Sequence, residues 1–303
     1  MRSPALPYRA FVTCFVPLIT AMAANGQQPG ADSSWISVEA AMGRSGSIQP
    51  GNVIKFSFPR SDLSVKVGAV TLKPALALGS WTAFKMAAAG NAIVMGDLVL
   101  TETEVGPVIA ALQAGGVEQS AIHNHLLNES PRIIYVHIMA HGNPAAIAKT
   151  IRSALEKTGT PLIAGAASVS SASGLDTAGI HAALGIAGKL NGVVYQVSVP
   201  RSESITEMGS EIPPSMGVAT AINFQPTGDG KAAITGDFVM RGPEVNQVIR
   251  ALRDHGIQVT ALHSHMLDEE PRLFFMHFWA NDDAVTFARG LKAALDKMAV
   301  KLN

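Results

Sequence analysis

The chain is written twice. At a constant offset of 140 residues, His123 falls on His263, His137 on His277 and Asp97 on Asp237. Residues 96–137 and 236–277 align without a gap at 18 identities in 42 positions, far more than chance allows. Pro59-Arg60 and Pro200-Arg201, at offset 141, carry the repeat upstream. A duplication on this scale constrains the fold before any other feature, because each copy is the size of a domain. Between the copies, Gly165 to Gly174 is rich in Ala and Ser and reads as a linker. The expected organisation is a leader over 1–23, one repeat over 30–165 and a second over 172–303.

The leader is inferred from Arg2 and Arg9, the apolar run Ala10 to Ala23, and the A-x-A pattern Ala21-Met22-Ala23. The run is short for a bilayer and Pro17 interrupts it. We therefore expect an exported protein, periplasmic or secreted, with no stable membrane span after signal removal. Cys14 is the only cysteine, so the mature chain would hold neither disulfides nor thiolate metal ligands. Phe11-Val12-Thr13 before it does not form the small-residue approach of a lipidation site. Lys and Arg total 23 and so do Asp and Glu, which leaves no basic excess for a nucleic-acid partner.

Within each copy, the hydrophobic period switches between two and 3.6. Strands are expected at Trp81 to Ala87 and Ala92 to Leu100, the second alternating around Asp97. A helix follows from about Glu104 to Ala114 and stops at Gly115-Gly116. Strands at Val117 to Leu127 and Ile133 to Ala140 flank a turn containing Pro131, and a helix runs from Asn143-Pro144 to about Lys157. The second copy repeats the order, with Pro243 opening one helix and Asp283 capping the other. The expected fold class is α+β: a tandem duplicated domain, mainly antiparallel sheet, with helices packed on one face.

Six of the nine histidines belong to the repeated clusters, His123, His125 and His137 in one copy and His263, His265 and His277 in the other. On a strand, i and i+2 side chains share a face about 7 Å apart, so His123/His125 and His263/His265 can converge on one ion. A hairpin centred near residue 130 would set His137 opposite His123. Glu129 and Glu269 lie in the turn and could close each site as oxygen ligands. Three imidazoles and a carboxylate suit a divalent metal such as Zn²⁺, Mn²⁺, Fe²⁺ or Cu²⁺, with zinc the leading candidate. A polar network of histidine, Glu129 and Arg132 that only fixes the hairpin is the alternative.

Other repeated polar residues admit two roles each. Asp97 and Asp237 stand in hydrophobic strands, where a carboxylate needs a partner; each is a candidate general base or histidine partner. Glu104 and Glu244 open helices and are candidate catalytic carboxylates, although Thr101-x-x-Glu104 also matches a capping box. Arg241 replaces the threonine in the second copy, so capping alone does not explain Glu244. Arg132 and Arg272 could pair with the glutamates or bind a ligand carboxylate or phosphate. His141, His181 and His255 have no counterpart, and Trp81 and Trp279 read as core.

The string H-x-H-x-x-x-E resembles the first metal motif of cupins, but cupins are all-β barrels with the last histidine much further along. The wider pattern resembles the LppY/LpqO family over nearly the whole mature chain. It comprises Gly96-Asp97, His123 to Arg132 and His137, then Gly236-Asp237, His263 to Arg272 and His277. That resemblance implies an exported envelope protein, sometimes labelled peptidoglycan-binding, and supplies no reaction.

Two functions follow from the residues. One is a metal protein with a His₃Glu site per repeat, acting as a metal-dependent hydrolase of the cell envelope. The other is a non-catalytic module that binds cell-wall glycan, peptide or lipid, with structural histidines and two sites for avidity.

Overall fold

Two six-stranded antiparallel sheets of identical order form the frame of the protein in a computed structural model that describes residues 35–163 and 174–302, with Met1 and Ser171 besides. The leader, Cys14 and most of the linker at 165–174 lie outside the described residues.

The first repeat begins with α1 (Ile36–Met42), β1 (Ser47–Gln49), β2 (Val53–Pro59), β3 (Lys66–Val67), β4 (Val70–Thr71), α2 (Pro74–Ala77), β5 (Gly79–Met86) and β6 (Ala92–Thr101). It continues through α3 (Glu102–Ala114), β7 (Glu118–His123), β8 (Glu129–Ser130), β9 (Ile133–Gly142) and α4 (Pro144–Leu155). The second repeat runs α5 (Thr177–Leu184), β10 (Lys189–Asn191), β11 (Val194–Pro200), β12 (Thr206–Glu207), β13 (Ser210–Glu211) and β14 (Ala219–Gly228). It ends with β15 (Lys231–Arg241), α6 (Gly242–Asp254), β16 (Gln258–His263), β17 (Leu273–Asp283) and α7 (Ala284–Leu295). The sheets are ordered β1-β2-β5-β6-β9-β7 and β10-β11-β14-β15-β17-β16.

Local chemistry explains the helix ends. The Asn143 side chain accepts from the Ala146 amide at 2.9 Å and Asp283 from the Thr286 amide at 2.7 Å, each satisfying a first-turn donor. Past α3 and α6 the chain turns at Gly116 and Gly256, with φ of +74° and +71°, where glycine carries no steric penalty. Val108 and Leu112 of α3 and Val245, Val248 and Leu252 of α6 face inward at helical spacing.

Each sheet packs its helices on one face, as the sequence predicts. One core joins α1, α3 and α4 to Ile54, Phe56, Phe84, Val94, Leu98 and Ile138. Its counterpart joins α5, α6 and α7 to Val197, Ile222, Phe224, Ile234, Phe238 and Phe278. The opposite faces cover each other. Val53, Ala83, Ile93 and Met95 pack with Ile205, Ile212, Met216, Val239, Leu273 and Phe275 of the other repeat. Reciprocally, Leu72, Leu76, Val99 and Tyr135 pack with Val194, Ala233 and Trp279. The layers therefore run helix, sheet, sheet, helix, and β6 is buried on both faces from Ala92 to Leu100.

Side chains lock the straps that cross between repeats. Gln196 Nε2 donates to the Ala75 carbonyl at 2.8 Å, Asn223 Nδ2 to Leu76 at 3.0 Å and Gln225 Nε2 to Thr71 at 2.9 Å. Because the repeats share two apolar clusters, they should unfold together. Ile212→Ala, which opens a cavity in one shared cluster, is expected to cost about 2–5 kcal/mol in a single cooperative denaturant transition. Two separate transitions would show that the repeats are independent.

Candidate functional site

The inner faces bring both histidine clusters to one place. Along the first sheet, Ser57 lies opposite Trp81, Trp81 opposite Asp97 and Asp97 opposite His137, a row across four strands. Asp237 lies opposite His277 in the second sheet. Both rows line the cleft between the repeats.

The hairpin differs in detail from the expected one. His123 pairs with Tyr135 and Ala121 with His137, so His137 sits two positions from the expected place opposite His123. The same register joins His263 to Phe275 and Ala261 to His277. Glu129 and Ser130 leave the main ladder to pair with Val67 and Lys66 of β3. A shift of two preserves the face, so all three histidines still converge. β7 ends at His123, which leaves His125 on the following loop rather than on a strand. The carbonyl of His125 accepts from Thr260 Oγ1, a residue of the other repeat, at 2.6 Å.

The six rings pair across the approximate two-fold that relates the repeats. His123 lies against His263 with ring centroids 3.6 Å apart, His125 against His277 at 3.7 Å and His137 against His265 at 3.7 Å. Tyr135 closes one stack on His125 at 3.3 Å and Phe275 closes the other on His265 at 3.6 Å. Tyr135 is held from behind, its hydroxyl donating to the Ala77 carbonyl at 3.0 Å.

Ligand-capable atoms lie within 4.8 Å of one another in two overlapping groups. One contains His123, His263, His265 and His277; the other contains His123, His125 and His137. The first draws on both repeats, whereas the second is the first repeat's own three histidines, so the two clusters expected from the sequence meet in one place. His123 belongs to both groups.

Asp97 and Asp237 are the carboxylates nearest the rings. Asp97 lies 3.8 Å from His125 Nε2 and 3.9 Å from His137 Nε2, and Asp237 lies 3.5 Å from His265 Nε2. These distances exceed a hydrogen bond. Accordingly Asp97 Oδ1, Asp237 Oδ1 and one ring nitrogen each of His123, His125, His137, His263 and His277 are buried without a hydrogen-bond partner. Orphaned polar atoms are costly, and so many in one spot fit a site that takes a polar ligand or an ion.

Burial sets the charge states. It lowers His123 to about 4, His263 to about 2 and His277 to about 3, with neighbouring histidines adding to the effect on the last two. His125, His137 and His265 fall well below the usual range for the same reasons. All six are neutral at physiological pH, the form that binds metal. Burial also raises Asp97 to about 7, partly offset by Lys55, and raises Asp237 further, with Asp97 contributing.

The glutamates do not join the rings. Glu129 Oε1 accepts from the Ile133 amide at 3.1 Å and Glu269 Oε1 from the Leu273 amide at 2.8 Å, so both brace the turn. Neither belongs to a ligand-capable group. Burial raises Glu129 to about 7. Arg272 bonds Glu269 at 3.1 Å and the Leu267 carbonyl at 2.8 Å. Arg132, largely exposed, lies 3.9 Å from Glu102. The expected catalytic role of Glu104 and Glu244 gives way to a structural one. Glu104 accepts from Arg60 at 2.8 and 3.0 Å, from the Thr101 amide at 2.8 Å and from the Gly159 amide at 2.8 Å. Glu244 accepts from Arg201 and from the Arg241 and Ala299 amides. Arg60 and Arg201 are buried and also donate to the Val99 and Val239 carbonyls. The repeated Pro-Arg pairs carried that signal, because an arginine kept beside a kept glutamate suggests a buried pair.

Two measurements follow. Glu104→Ala strands the buried Arg60 guanidinium and is expected to cost about 3–5 kcal/mol in denaturant melts without altering metal content. In metal-free protein, the histidines take up protons from about pH 6.5 downward in the unfolded chain but only at lower pH when folded, so stability falls with acid. Asp97 and Asp237 act oppositely, since their folded values are raised and their contribution declines from about pH 4 upward. Six groups against two decide the sign: chelated protein should lose stability between pH 6.5 and 4. A flat profile there in thermal melts would contradict the buried, neutral assignment.

A cleft of about 1350 Å³ opens onto the centre between the repeats, lined by Asp97, His125, His137, Asp237, His265 and His277 at its floor.

No curated protein matches the chain. Among solved structures, EtuB from Clostridium kluyveri aligns at 9% identity over 82% of this chain and 90% of that one, with a TM-score of 0.21. A trimeric bacterial microcompartment shell protein, PduB, aligns at 12% identity over 82% and 88%, with a TM-score of 0.19. Superposition is poor in both cases. Residues 36–157 and 178–297 each match one family model, that of the "Domain of Unknown Function (DUF1259)", and the chain belongs to this family with the domain present twice.

Proposed function

We propose that the protein binds a divalent transition metal in a single centre built by both repeats, and acts there as a metal-dependent hydrolase. The observation that carries this reading is the convergence of six neutral histidines, five of them with an unpartnered ring nitrogen, on one buried spot under an open cleft. An all-nitrogen donor set fits zinc first, and nitrogens within 4.8 Å of one another lie in reach of a common ion bound at about 2.0–2.1 Å. A bound ion would supply Lewis acidity. Asp97, raised to about 7, and Asp237, raised well above the usual carboxylate range, are unpartnered at Oδ1 and would hold or move a proton there. Burial against the second repeat excludes bulk water from the far side.

We also propose export to the cell envelope, on the basic and apolar leader and the resemblance to the LppY/LpqO family. A cell-wall glycan or peptide would then be an accessible substrate.

Elemental analysis of purified full chain tests the centre. Because His123 belongs to both ligand groups, His123→Ala should reduce bound metal to about one fifth or less, since even the loss of a ligand's supporting partner costs about 10–100-fold in metal affinity. Retention of half the metal would instead indicate an independent site in each repeat. Metal-independent retention on purified sacculi, with no metal bound, would favour the non-catalytic binding module.

A further inference from the structure

The two halves of the cleft are not alike. Lys55 of β2 stands where β11 has Gln196, and Trp81 of β5 stands where β14 has Ala221. Gln196 is occupied, donating to the Ala75 carbonyl at 2.8 Å and to Asn223 Oδ1 at 3.1 Å. Lys55 is not. Its Nζ lies 4.0 Å from the Trp81 ring centroid, and its one hydrogen bond is a long one, 3.4 Å, to the Ser215 carbonyl. Among the described residues no carboxylate reaches it within ion-pair distance, although Asp97 lies close enough to stabilise its charge. An ammonium has three donors, so at least two are available.

The lining adds a charge argument. Among the described residues it includes the cations Arg44, Lys55, Lys73 and Lys189, but only two acids, Asp97 and Asp237. Both acids sit at the histidine end. In a chain of zero formal charge this is a local positive excess. Burial lowers Lys55 to about 8, so holding this ammonium in place costs free energy that an anionic partner would offset.

We infer that the cleft holds a subsite for a substrate oxyanion, a phosphate or carboxylate group, bound by Lys55 over the face of Trp81. The inference rests on the proposed centre only for what lies at the other end of the substrate. Lys55 and His137 stand on strands three steps apart in the sheet, β2, β5, β6 and β9. At a spacing of about 4.8 Å per step, the strand axes are roughly 14 Å apart. A ligand on the order of 10 Å long could therefore fix its anionic end at Lys55 and present its other end to the histidines. The asymmetry also gives the cleft a direction. Two equal halves would accept a substrate either way round, whereas one ammonium and one indole select a single orientation.

The test titrates full-length, metal-replete protein by calorimetry with inorganic phosphate and, separately, acetate. Lys55→Gln installs the side chain the second repeat already carries, and Lys55→Arg restores a cation. At least one probe should bind wild type, weaken about tenfold or more in Lys55→Gln, and recover to within about threefold in Lys55→Arg, with metal content unchanged throughout. Loss confined to phosphate assigns a phosphorylated substrate, and loss confined to acetate a carboxylated one. Wild-type protein that binds neither probe, or Lys55→Gln that binds both unchanged, overturns the subsite. If Lys55→Gln does not fold, the Trp81 indole resonance of wild-type protein, assigned with Trp81→Phe, must shift on saturation with the bound probe; no shift overturns the subsite equally. Lys55-dependent binding in a chain that holds no metal would leave the subsite standing and remove the metal centre.

Discussion

The structure depends on one demand: two sheet faces that carry both apolar and imidazole side chains must be covered, and each covers the other. Ile93, Met95 and Val99 flank Asp97 along the inner face of β6, so that face cannot remain in water. Closing it against the second repeat buries the apolar residues and the polar ones together. The apolar clusters supply the driving force. The unpartnered histidine nitrogens and aspartate oxygens are its cost, and an ion in their midst would offset it.

That constraint also explains which polar residues act and which only support. Arg60 with Glu104, and Arg201 with Glu244, are fully satisfied networks that tie a strand end to a helix start and to the chain after α4 or α7. Glu129 and Glu269 accept backbone amides within their own turns. At the centre, five of the six histidines and both aspartates keep a buried atom with no hydrogen-bond partner among the described residues. A satisfied network rigidifies, whereas an unsatisfied one indicates a ligand.

Much of this was legible beforehand. The constant offset established the duplication, the switch of period between two and 3.6 marked the helices and most strands, and the repeated i, i+2 spacing singled out the histidines that cluster. Two things were not. Self-comparison shows that two copies exist but not that they face each other. The available clue was the apolar Ile93, Met95 and Val99 beside Asp97, which mark that face of β6 as buried as well as the helix face. The pairing of β8 with β3, more than 60 residues earlier in the chain, was hidden because no local pattern announces such a partner. Glu104 was misread for a related reason, since Arg60 reaches it from a distant strand end.

Duplication gives the centre its symmetry, and Lys55 and Trp81, which the second repeat does not match, would give its cleft a direction. The central claim is that both repeats contribute ligands to one centre. Anomalous diffraction at the metal absorption edge, from crystals of metal-replete protein, tests it most directly. The account predicts anomalous density between the repeats, with nitrogen ligands from His123 and from the second-repeat histidines. Two separate peaks, each ligated by one repeat alone and closed by Glu129 or Glu269, would contradict it.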